Sequence, residues 1–188
     1  MHVRDAKNRE EVWLLDQLEA FGFEDPAFRS RDYVIAIDEE AGRKVGFGRI
    51  RVHSSDPPVC EVTCVGVLED WRGQGVGAHI LERLVELGRD QGFDRVVVFT
   101  SKTGYLKQFG FEEVSDASLA ASERDRLETV RESSDPNAVA LRVGVDEFSM
   151  PRRLRRRFAD DERREEAATE DFGIDTESAT YKYDTGRR

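Results

Sequence analysis

The sequence predicts an α/β fold in which helices flank a mixed β-sheet. Residues 33–53 predict an antiparallel hairpin, because two strand-like stretches are joined by the polar turn Glu39-Glu40-Ala41-Gly42. Residues 59–91 predict a strand, a glycine-rich turn and a helix, and residues 95–100 predict a buried strand of the parallel type. Antiparallel and parallel neighbours would then share one sheet.

The glycine-rich turn before residue 78 is the segment with the clearest chemical meaning. β-Branched residues indicate the strand that enters it, and apolar residues at helical spacing indicate the helix that leaves it. Glycines at 73, 75 and 77 remove the Cβ atoms that would keep a phosphate from the amides of a positive helix end. Arg72 adds a guanidinium suited to phosphate. The turn therefore predicts an anion site, with an ordinary tight turn as the alternative.

A short strand, His2-Val3-Arg4, and a helix precede the hairpin. Asn8 is a capping residue type, and apolar periodicity predicts a helix from Arg9 to about Ala20 that ends at Gly22. Residues 23–31, interrupted by a proline, predict a loop or a short second helix.

Four elements follow residue 100. They are a short helix over 101–108, a strand that ends near Val114, a charged helix over 119–132 and a final strand over 138–143. The sequence contains no internal repeats.

The composition changes at Pro151. Residues 152–157 are mainly basic and residues 160–171 mainly acidic, with too few apolar side chains to fold alone. The sequence therefore predicts one folded domain over residues 1–150 and a charged C-terminal tail over residues 151–188, which is partly helical or disordered.

The chain is acidic, with a formal net charge of −10. This charge disfavours non-specific binding to nucleic acid, so no nucleic-acid partner is expected. Lysine occurs only at positions 7, 44, 102, 107 and 182. A lysine-poor acidic surface suits a high-salt cytoplasm and is halophile-like, although an acidic mesophilic protein has the same character.

Cys60 and Cys64 are the only cysteines, and both fall in the predicted strand before the turn. Four residues apart on one strand, they cannot easily form a disulfide, and no His or Cys cluster accompanies them. We therefore expect buried free thiols, no metal site and a reducing, cytoplasmic location. The sequence shows no membrane-length apolar run and no signal-like N-terminus, so no membrane partner is expected.

The run Arg72-Gly73-Gln74-Gly75-Val76-Gly77 matches the pattern Arg/Gln-x-x-Gly-x-Gly/Ala. That pattern is the acetyl-CoA motif of the GNAT superfamily of N-acyltransferases, which this chain resembles. Residues 60–67 look like the fourth strand of that family, and the resemblance extends with decreasing strength over residues 3–143. It implies a mostly antiparallel sheet with a splayed parallel pair. Residues 105–114 also resemble, weakly, N-acetylglutamate synthase catalytic domains.

The resemblance implies that acetyl-CoA is the cosubstrate. The fourth strand would pair with pantetheine, and an N–H near Val65, Gly66 and Val67 would face the thioester oxygen. Gly66 is compatible with the bulge that the family has in this strand. The diphosphate would be held by the side chain of Arg72 and by the amides of Gly73, Gln74, Gly75, Val76 and Gly77.

Glu61 is the candidate catalytic base. A lone carboxylate in an apolar strand is costly unless it is paired or functional, and partial burial would raise its pKa towards neutrality. Several GNAT enzymes have a catalytic glutamate at the matching position. A salt-bridged or surface Glu61, another base, and a water relay are the alternatives.

Tyr105 is the candidate general acid. The family often has a tyrosine four residues before the glycine of its Gly-Phe pair, and counting back from Gly110 gives Leu106 instead. A shift of one residue turns a helical side chain by about 100°. Ser101, Thr103 and solvent are therefore alternative proton donors.

The acceptor amine would lie against residues 23–33 in the family. Phe28 and Tyr33 are the candidate substrate-binding residues, with plain core packing as the alternative. Arg49 or Arg51 on the third strand is a candidate for an acceptor carboxylate, with an exposed ion pair as the alternative.

These observations favour an acetyl-CoA-dependent N-acetyltransferase that acts on a primary amine of a small molecule or amino acid. Two alternatives stay open: acetylation of protein or peptide amines, and a non-catalytic acyl-CoA-binding regulatory module. The sequence also leaves open a homodimer.

Overall fold

The computed structural model describes residues 1–155 of the 188-residue chain, and the predicted tail from residue 156 onward lies outside them. The strands are β1 (His2–Asp5), β2 (Tyr33–Asp38), β3 (Arg43–His53), β4 (Val59–Val67), β5 (Arg95–Thr100), β6 (Glu112–Val114) and β7 (Val139–Gly144). The helices are α1 (Glu11–Phe21), α2 (Val76–Asp90), α3 (Thr103–Lys107) and α4 (Ala121–Ser133).

The strands form one sheet in the order β1-β2-β3-β4-β5-β7-β6. Every neighbouring pair is antiparallel except β4 and β5, which run parallel because helix α2 connects them. The predicted fold class, a mixed and mostly antiparallel sheet flanked by helices, is therefore confirmed.

Helix α2 covers one face of this sheet. Its apolar side bears Ile80, Leu81 and Leu84, each no more than 2% exposed, and burial of each such side chain is worth about 1.5–3 kcal/mol. A Cβ on Gly48 of β3 would lie 2.7 Å from Ile80 Cγ2 and 2.8 Å from Leu84 Cδ1. Glycine at this position therefore allows α2 to approach the sheet closely, which fixes where the helix begins.

The opposite face carries two separate helices. Helix α1 packs on β2 and β3 through the cluster Leu14, Leu18, Tyr33, Ile35 and Phe47. Helix α4 packs on β5 and β7 through the cluster Val97, Phe99, Leu127, Val130 and Ala140. Between these two apolar clusters, β3 and β4 carry the polar side chains described below.

The structure adjusts some predicted boundaries. Helix α1 begins at Glu11, two residues after the predicted start, and Gly22 ends it in the left-handed conformation as expected. Leu154 is only 7% exposed and belongs to the core under α2, so packing continues past the predicted domain boundary at residue 150. In residues 1–155, none of the helices combines the length and apolarity needed to cross a membrane.

Candidate functional site

Strands β4 and β5 separate from each other soon after they meet. A single residue pair, Glu61 with Val97, is in register between them, whereas β5 and β7 pair from Arg95 to Thr100. Beyond Glu61, the backbone edge of β4 that faces β5 is therefore not taken up by a ladder between the two strands. An open strand edge of this kind can pair with an extended ligand.

A β-bulge in β4 lies beside this gap. Gly48 of β3 opposes two residues of β4, Cys64 and Val65, instead of one. Cys64 has φ of 50°, an uncommon backbone conformation for a residue with a side chain. The extra residue bends β4, and strained backbone of this kind tends to occur at functional sites.

Gly66, which the sequence showed to be compatible with a bulge, is not the bulged residue. It pairs with Phe47 of β3 in ordinary register. A Cβ on Gly66 would lie 2.6 Å from the Phe47 ring, so the glycine is required by close packing. The bulge falls one to two residues earlier, at Cys64 and Val65.

The directions of the backbone N–H groups of β4 follow from the register between β3 and β4. The N–H of Leu68 donates to the carbonyl oxygen of Val45 at 2.9 Å, and Gly66 is also paired with β3. Successive residues of a regular strand point their N–H groups to opposite sides, so the N–H of Val67 is directed towards the gap. This donor, from the stretch that the resemblance assigned to the thioester oxygen, therefore borders the gap, and Val65 belongs to the bulge beside it.

The glycine turn connects β4 to α2, and its glycines serve different structural purposes. Gly73 and Gly75 have φ of +74° and +91°, which favour glycine, and Gly75 is the N-cap of α2. The amides of Gly75, Val76 and Gly77 lie where helix geometry provides no intrahelical acceptor. Gly77 instead leaves room for a neighbour, because a Cβ there would lie 3.1 Å from the hydroxyl oxygen of Tyr105. This helix end fits an anion.

The two polar side chains of the turn behave differently. Arg72 donates from Nε to the carbonyl oxygen of Val67 at 3.1 Å, its guanidinium lies 5.8 Å from the centre of the Phe21 ring, and it forms no ion pair within residues 1–155. Gln74 donates from Nε2 to the carbonyl oxygen of Asp70 at 2.8 Å, so its side chain braces the turn. Arg72 is therefore the side-chain cation at this end of the gap.

A charged group lies at the end of the gap where β4 and β5 still pair. It consists of Glu61, His53 and Arg126 and is here called the Glu61 cluster. Arg126 of α4 donates from Nε to Oε2 at 2.9 Å and from Nη2 to Oε1 at 3.0 Å. His53 Nε2 lies 2.6 Å from Oε2. The Glu61 side chain is only 2% exposed, whereas those of His53 and Arg126 are 19% and 21% exposed.

The protonation of Glu61 is the reverse of our expectation. Burial alone raises the pKa of Glu61, but hydrogen bonds from His53 and Arg126 outweigh it, so the pKa lies below its usual value. We expected partial burial to raise this pKa, and that prediction is wrong because it left out both partners. Glu61 is ionised and fully hydrogen-bonded, and its alternative interpretation as a salt-bridged residue is the one observed.

Asp25, Arg49 and Tyr33 form a second charged group, here called the Asp25 cluster. The Tyr33 hydroxyl donates to Asp25 Oδ2 at 2.6 Å, and Arg49 Nη1 donates to Asp25 Oδ1. Arg49 also donates from Nη2 to the carbonyl oxygen of Ala27 at 2.8 Å. The side chains of Asp25 and Arg49 are 2% and 3% exposed, so the cluster is sealed from solvent.

The Asp25 cluster changes two of our expectations. Tyr33 is wholly buried with its hydroxyl committed to Asp25, so it cannot line the acceptor site as predicted. Arg49 is likewise committed to Asp25, Asp32 and the carbonyl oxygen of Ala27, and because its side chain is only 3% exposed it is not accessible to an acceptor carboxylate. Phe28 is partly buried, with its ring centre 5.4 Å from that of Tyr33, and it alone of the predicted pair retains surface.

The candidate general acid, Tyr105, lies near the end of the gap that the glycine turn forms. The Tyr105 ring packs on Phe109 at 5.2 Å, and its hydroxyl lies against Gly77 at the start of α2. Burial raises the pKa of Tyr105, with Arg153 partly opposing the shift, so the phenol keeps its proton at neutral pH. Leu106 is 6% exposed and packs in the core, because the one-residue shift turns it away from the surface.

Sequence reasoning missed two members of the Glu61 cluster. His53 faces Glu61 because both side chains project to the same side of neighbouring strands, a relation that follows from the hairpin register. Arg126 comes from α4, 65 residues from Glu61 along the chain, and no local pattern links the two. In residues 1–155, no group of three or more His, Cys, Asp or Glu side chains is arranged to hold a metal ion.

Two curated relatives align with part of the chain. An amino-acid acetyltransferase from Mycobacterium tuberculosis is 33% identical over 86 residues, which are 46% of this chain and 48% of the relative. A mycothiol acetyltransferase from Thermobifida fusca is 32% identical over 100 residues, which are 47% of this chain and 31% of the relative. The chain therefore spans about half or less of the length of these relatives.

Solved structures extend the similarity to the fold. A Mycobacterium tuberculosis protein in complex with CoA matches with a TM-score of 0.63 and 21% identity, covering 77% of this chain and 99% of that one. The N-acetylglutamate synthase of Neisseria gonorrhoeae, complexed with coenzyme A and N-acetyl-glutamate, matches with a TM-score of 0.60 and 18% identity, covering 76% and 34%. The predicted similarity to N-acetylglutamate synthases is confirmed at the level of the fold.

The family model described as the acetyltransferase (GNAT) family matches residues 3–111. This range includes β4, the bulge, the glycine turn and α2, and it covers more than half of the chain. The chain belongs to the acetyltransferase (GNAT) family.

Proposed function

We propose that the protein is an acetyl-CoA-dependent N-acetyltransferase that transfers the acetyl group directly to a primary amine of a small molecule or amino acid. The observation that carries the proposal is the continuity of three features: the gap between β4 and β5, the bulge at its edge and the glycine turn that follows. Family membership and the two acetyltransferase relatives support the same activity.

Acetyl-CoA would lie along this path. The diphosphate fits the start of α2, where the amides of residues 73–77 and the guanidinium of Arg72 provide donors and positive charge. Pantetheine, which carries two amides, fits the open edge of β4 as an added strand. This arrangement brings the thioester to Val65, at the bulge.

The acetyl transfer needs a polarised carbonyl and an attacking amine. An N–H at the bulge, for which Val65 is the candidate, would donate to the thioester oxygen and stabilise the oxyanion as it forms. The amine nitrogen then attacks the carbonyl carbon, a C–N bond forms, the C–S bond breaks and the thiolate of CoA leaves. Attack from the face of β4 that lies between α1 and α4 keeps the amine opposite the buried core under α2.

The amine must lose a proton during this reaction. Glu61 is too enclosed to accept it directly, since both carboxylate oxygens are hydrogen-bonded and the side chain is 2% exposed. His53 is the more exposed partner and has a second ring nitrogen outside this hydrogen bond. We assign His53 as the proton acceptor through a chain of waters, because Glu61, to which it is bonded, lies about 13 Å along β4 from Val65, and Glu61 as the positioning residue that orients it.

The departing thiolate must gain a proton. Tyr105 is the proposed donor because its hydroxyl lies against Gly77, beside the β4 end of the gap, the residue is 45% exposed, and a phenol holds its proton at neutral pH. The proton leaves the phenol as the C–S bond breaks, and solvent returns it afterwards.

The acceptor class is inferred from the relatives and neighbours of the chain. One relative is named an amino-acid acetyltransferase, and a structural neighbour was complexed with N-acetyl-glutamate. These relatives support small amines, amino acids above all, as the first acceptors to test.

The proposal is tested by measuring CoA thiol release from acetyl-CoA with a panel of amino acids, polyamines and short peptides. We expect release with at least one small amine, and intact-mass analysis should find the acetylated product. Release with peptides that free amino acids do not compete away would favour protein amines. Tight acetyl-CoA binding without release on any acceptor would favour a binding module and contradict the proposal.

A further inference from the structure

Arg51 is a cation on the face of β3 and β4 that lies between α1 and α4, here called the acceptor face, and its side chain has no partner among residues 1–155. It lies on β3 directly opposite Glu61 in register, and its side chain projects to the face that also carries Arg49 and His53. The side chain is half-buried, yet it forms no hydrogen bond or ion pair with any residue between 1 and 155. Such a guanidinium loses part of its hydration and gains no counter-charge in return.

The neighbouring carboxylates are already occupied. Glu61, the register partner of Arg51, directs its oxygens to Arg126 and His53 instead. Asp25 is bonded to Arg49 and Tyr33. The acceptor face therefore carries unbalanced positive charge at Arg51, although the chain as a whole has a net charge of −10.

We infer that Arg51 binds a carboxylate of the acceptor, so that the substrate of the proposed acetyl transfer is an amine that bears a carboxylate. This inference rests on the proposed function, because the amine must reach the thioester at Val65. Glu61 lies four residues before Val65, which is about 13 Å along an extended strand. The extended Arg51 side chain covers part of this distance and leaves room for an amino acid or a dipeptide. A guanidinium binds a carboxylate with two parallel hydrogen bonds, which orients the amine as well as holding it.

Arg51→Gln tests the inference, with Arg51→Lys as the charge-conserving variant and Arg43→Gln as the matched control. Arg43 is an exposed arginine at the other end of the same strand. Binding of L-glutamate and L-leucine, and of their α-amides, is measured by calorimetry on protein saturated with CoA. Thiol release with the same compounds and acetyl-CoA is measured in parallel.

We expect the wild-type protein to bind at least one of the two amino acids more tightly than its α-amide. Arg51→Gln should weaken that binding about ten- to a hundredfold while leaving acetyl-CoA affinity within about twofold. Arg51→Lys should retain part of the affinity, because a point charge replaces the two-pronged guanidinium, and Arg43→Gln should match the wild type.

Two results would overturn the inference: no carboxylate preference in the wild-type protein, or a preference that persists in Arg51→Gln. Carboxylate binding that depends on Arg51, without thiol release on any amine, would instead overturn the proposed acetyl transfer and leave the Arg51 site in place. The two failures are therefore distinguishable.

Discussion

The Asp25 cluster and the Glu61 cluster are each built around a buried carboxylate paired with an arginine, and they differ in what surrounds this pair. Each has a carboxylate that is 2% exposed and hydrogen-bonded to an arginine. In the Asp25 cluster the arginine is 3% exposed and the third member, Tyr33, is 0% exposed. In the Glu61 cluster the arginine and the histidine are 21% and 19% exposed.

The difference separates a structural role from a chemical one. A sealed and neutralised group holds residues 25–33 against β3 and offers nothing to a ligand. The Glu61 cluster has an equally buried centre, but its outer members reach solvent and Arg51 beside it lacks a partner. Exposure and charge balance, rather than residue type, therefore distinguish a support from a site on this face.

The largest expected effect comes from breaking the sealed cluster. Arg49→Met leaves Asp25 buried without its cation, and we expect a loss of about 3–5 kcal/mol in the free energy of unfolding. Arg51→Met, two residues along β3, should change it by less than about 0.5 kcal/mol, because Arg51 has no partner to lose. Urea unfolding followed by circular dichroism measures both, and equal losses in the two variants would contradict the distinction.

The next effect concerns catalysis at the open cluster. His53→Gln should lower kcat about a hundredfold, because it removes the group that accepts the amine proton. Acetyl-CoA affinity should stay unchanged. Glu61→Gln should slow turnover less, since His53 remains but is no longer oriented.

His2→Gln is the matched control for His53→Gln. His2 is a second histidine hydrogen-bonded to a carboxylate, that of Glu39, on the exposed edge strand β1. Its replacement should leave kcat unchanged. A full rate in His53→Gln would show that another group takes the proton.

The smallest expected effect is a change in stability with acid pH, and it comes from a third buried carboxylate, that of Glu10. The hydrogen bond from Arg4 holds the pKa of Glu10 at about 2, against burial, which raises it. A folded-state pKa below the usual 4.5 gives stability that is present above pH 4.5 and lost as the pH falls towards 2. Glu10→Gln should therefore cost about 1–3 kcal/mol near neutral pH and little near pH 2.

Thermal unfolding between pH 2 and pH 7 tests this dependence. Glu19→Gln on the exposed side of α1 is the control and should follow the wild-type curve. If the melting temperatures of Glu10→Gln and the wild type differ by the same amount at every pH, the Arg4–Glu10 pair is not the source.

The cofactor side of the site could be predicted from sequence because its features are local. The strand, the turn and the helix end occupy consecutive residues, and the left-handed backbone at Gly73 and Gly75 favours glycine. The bulge was expected in the right strand, but its residues, Cys64 and Val65, depend on the register of β4 against β3, which pattern alone does not give.

The acceptor side could not be predicted in the same way. The pKa of Glu61 depends on Arg126, a residue on a distant helix, and the fate of Arg49 depends on Asp25 in an irregular segment. Tyr33 was a candidate for substrate contact, and only its full burial shows that it belongs to the core. Long-range pairing decides which polar residue is structural and which is free to bind.

Calorimetric titration of acetyl-CoA into Gly73→Asp and Gly73→Asn tests the central claim, that the glycine turn binds the diphosphate. Aspartate and asparagine have the same shape and tolerate the left-handed conformation, and a Cβ on Gly73 would have no atom within 4 Å. We predict that Gly73→Asp weakens binding at least about tenfold by charge repulsion, whereas Gly73→Asn stays within about threefold of the wild type. Equal affinity of the two variants, or no binding by the wild-type protein, would contradict the account.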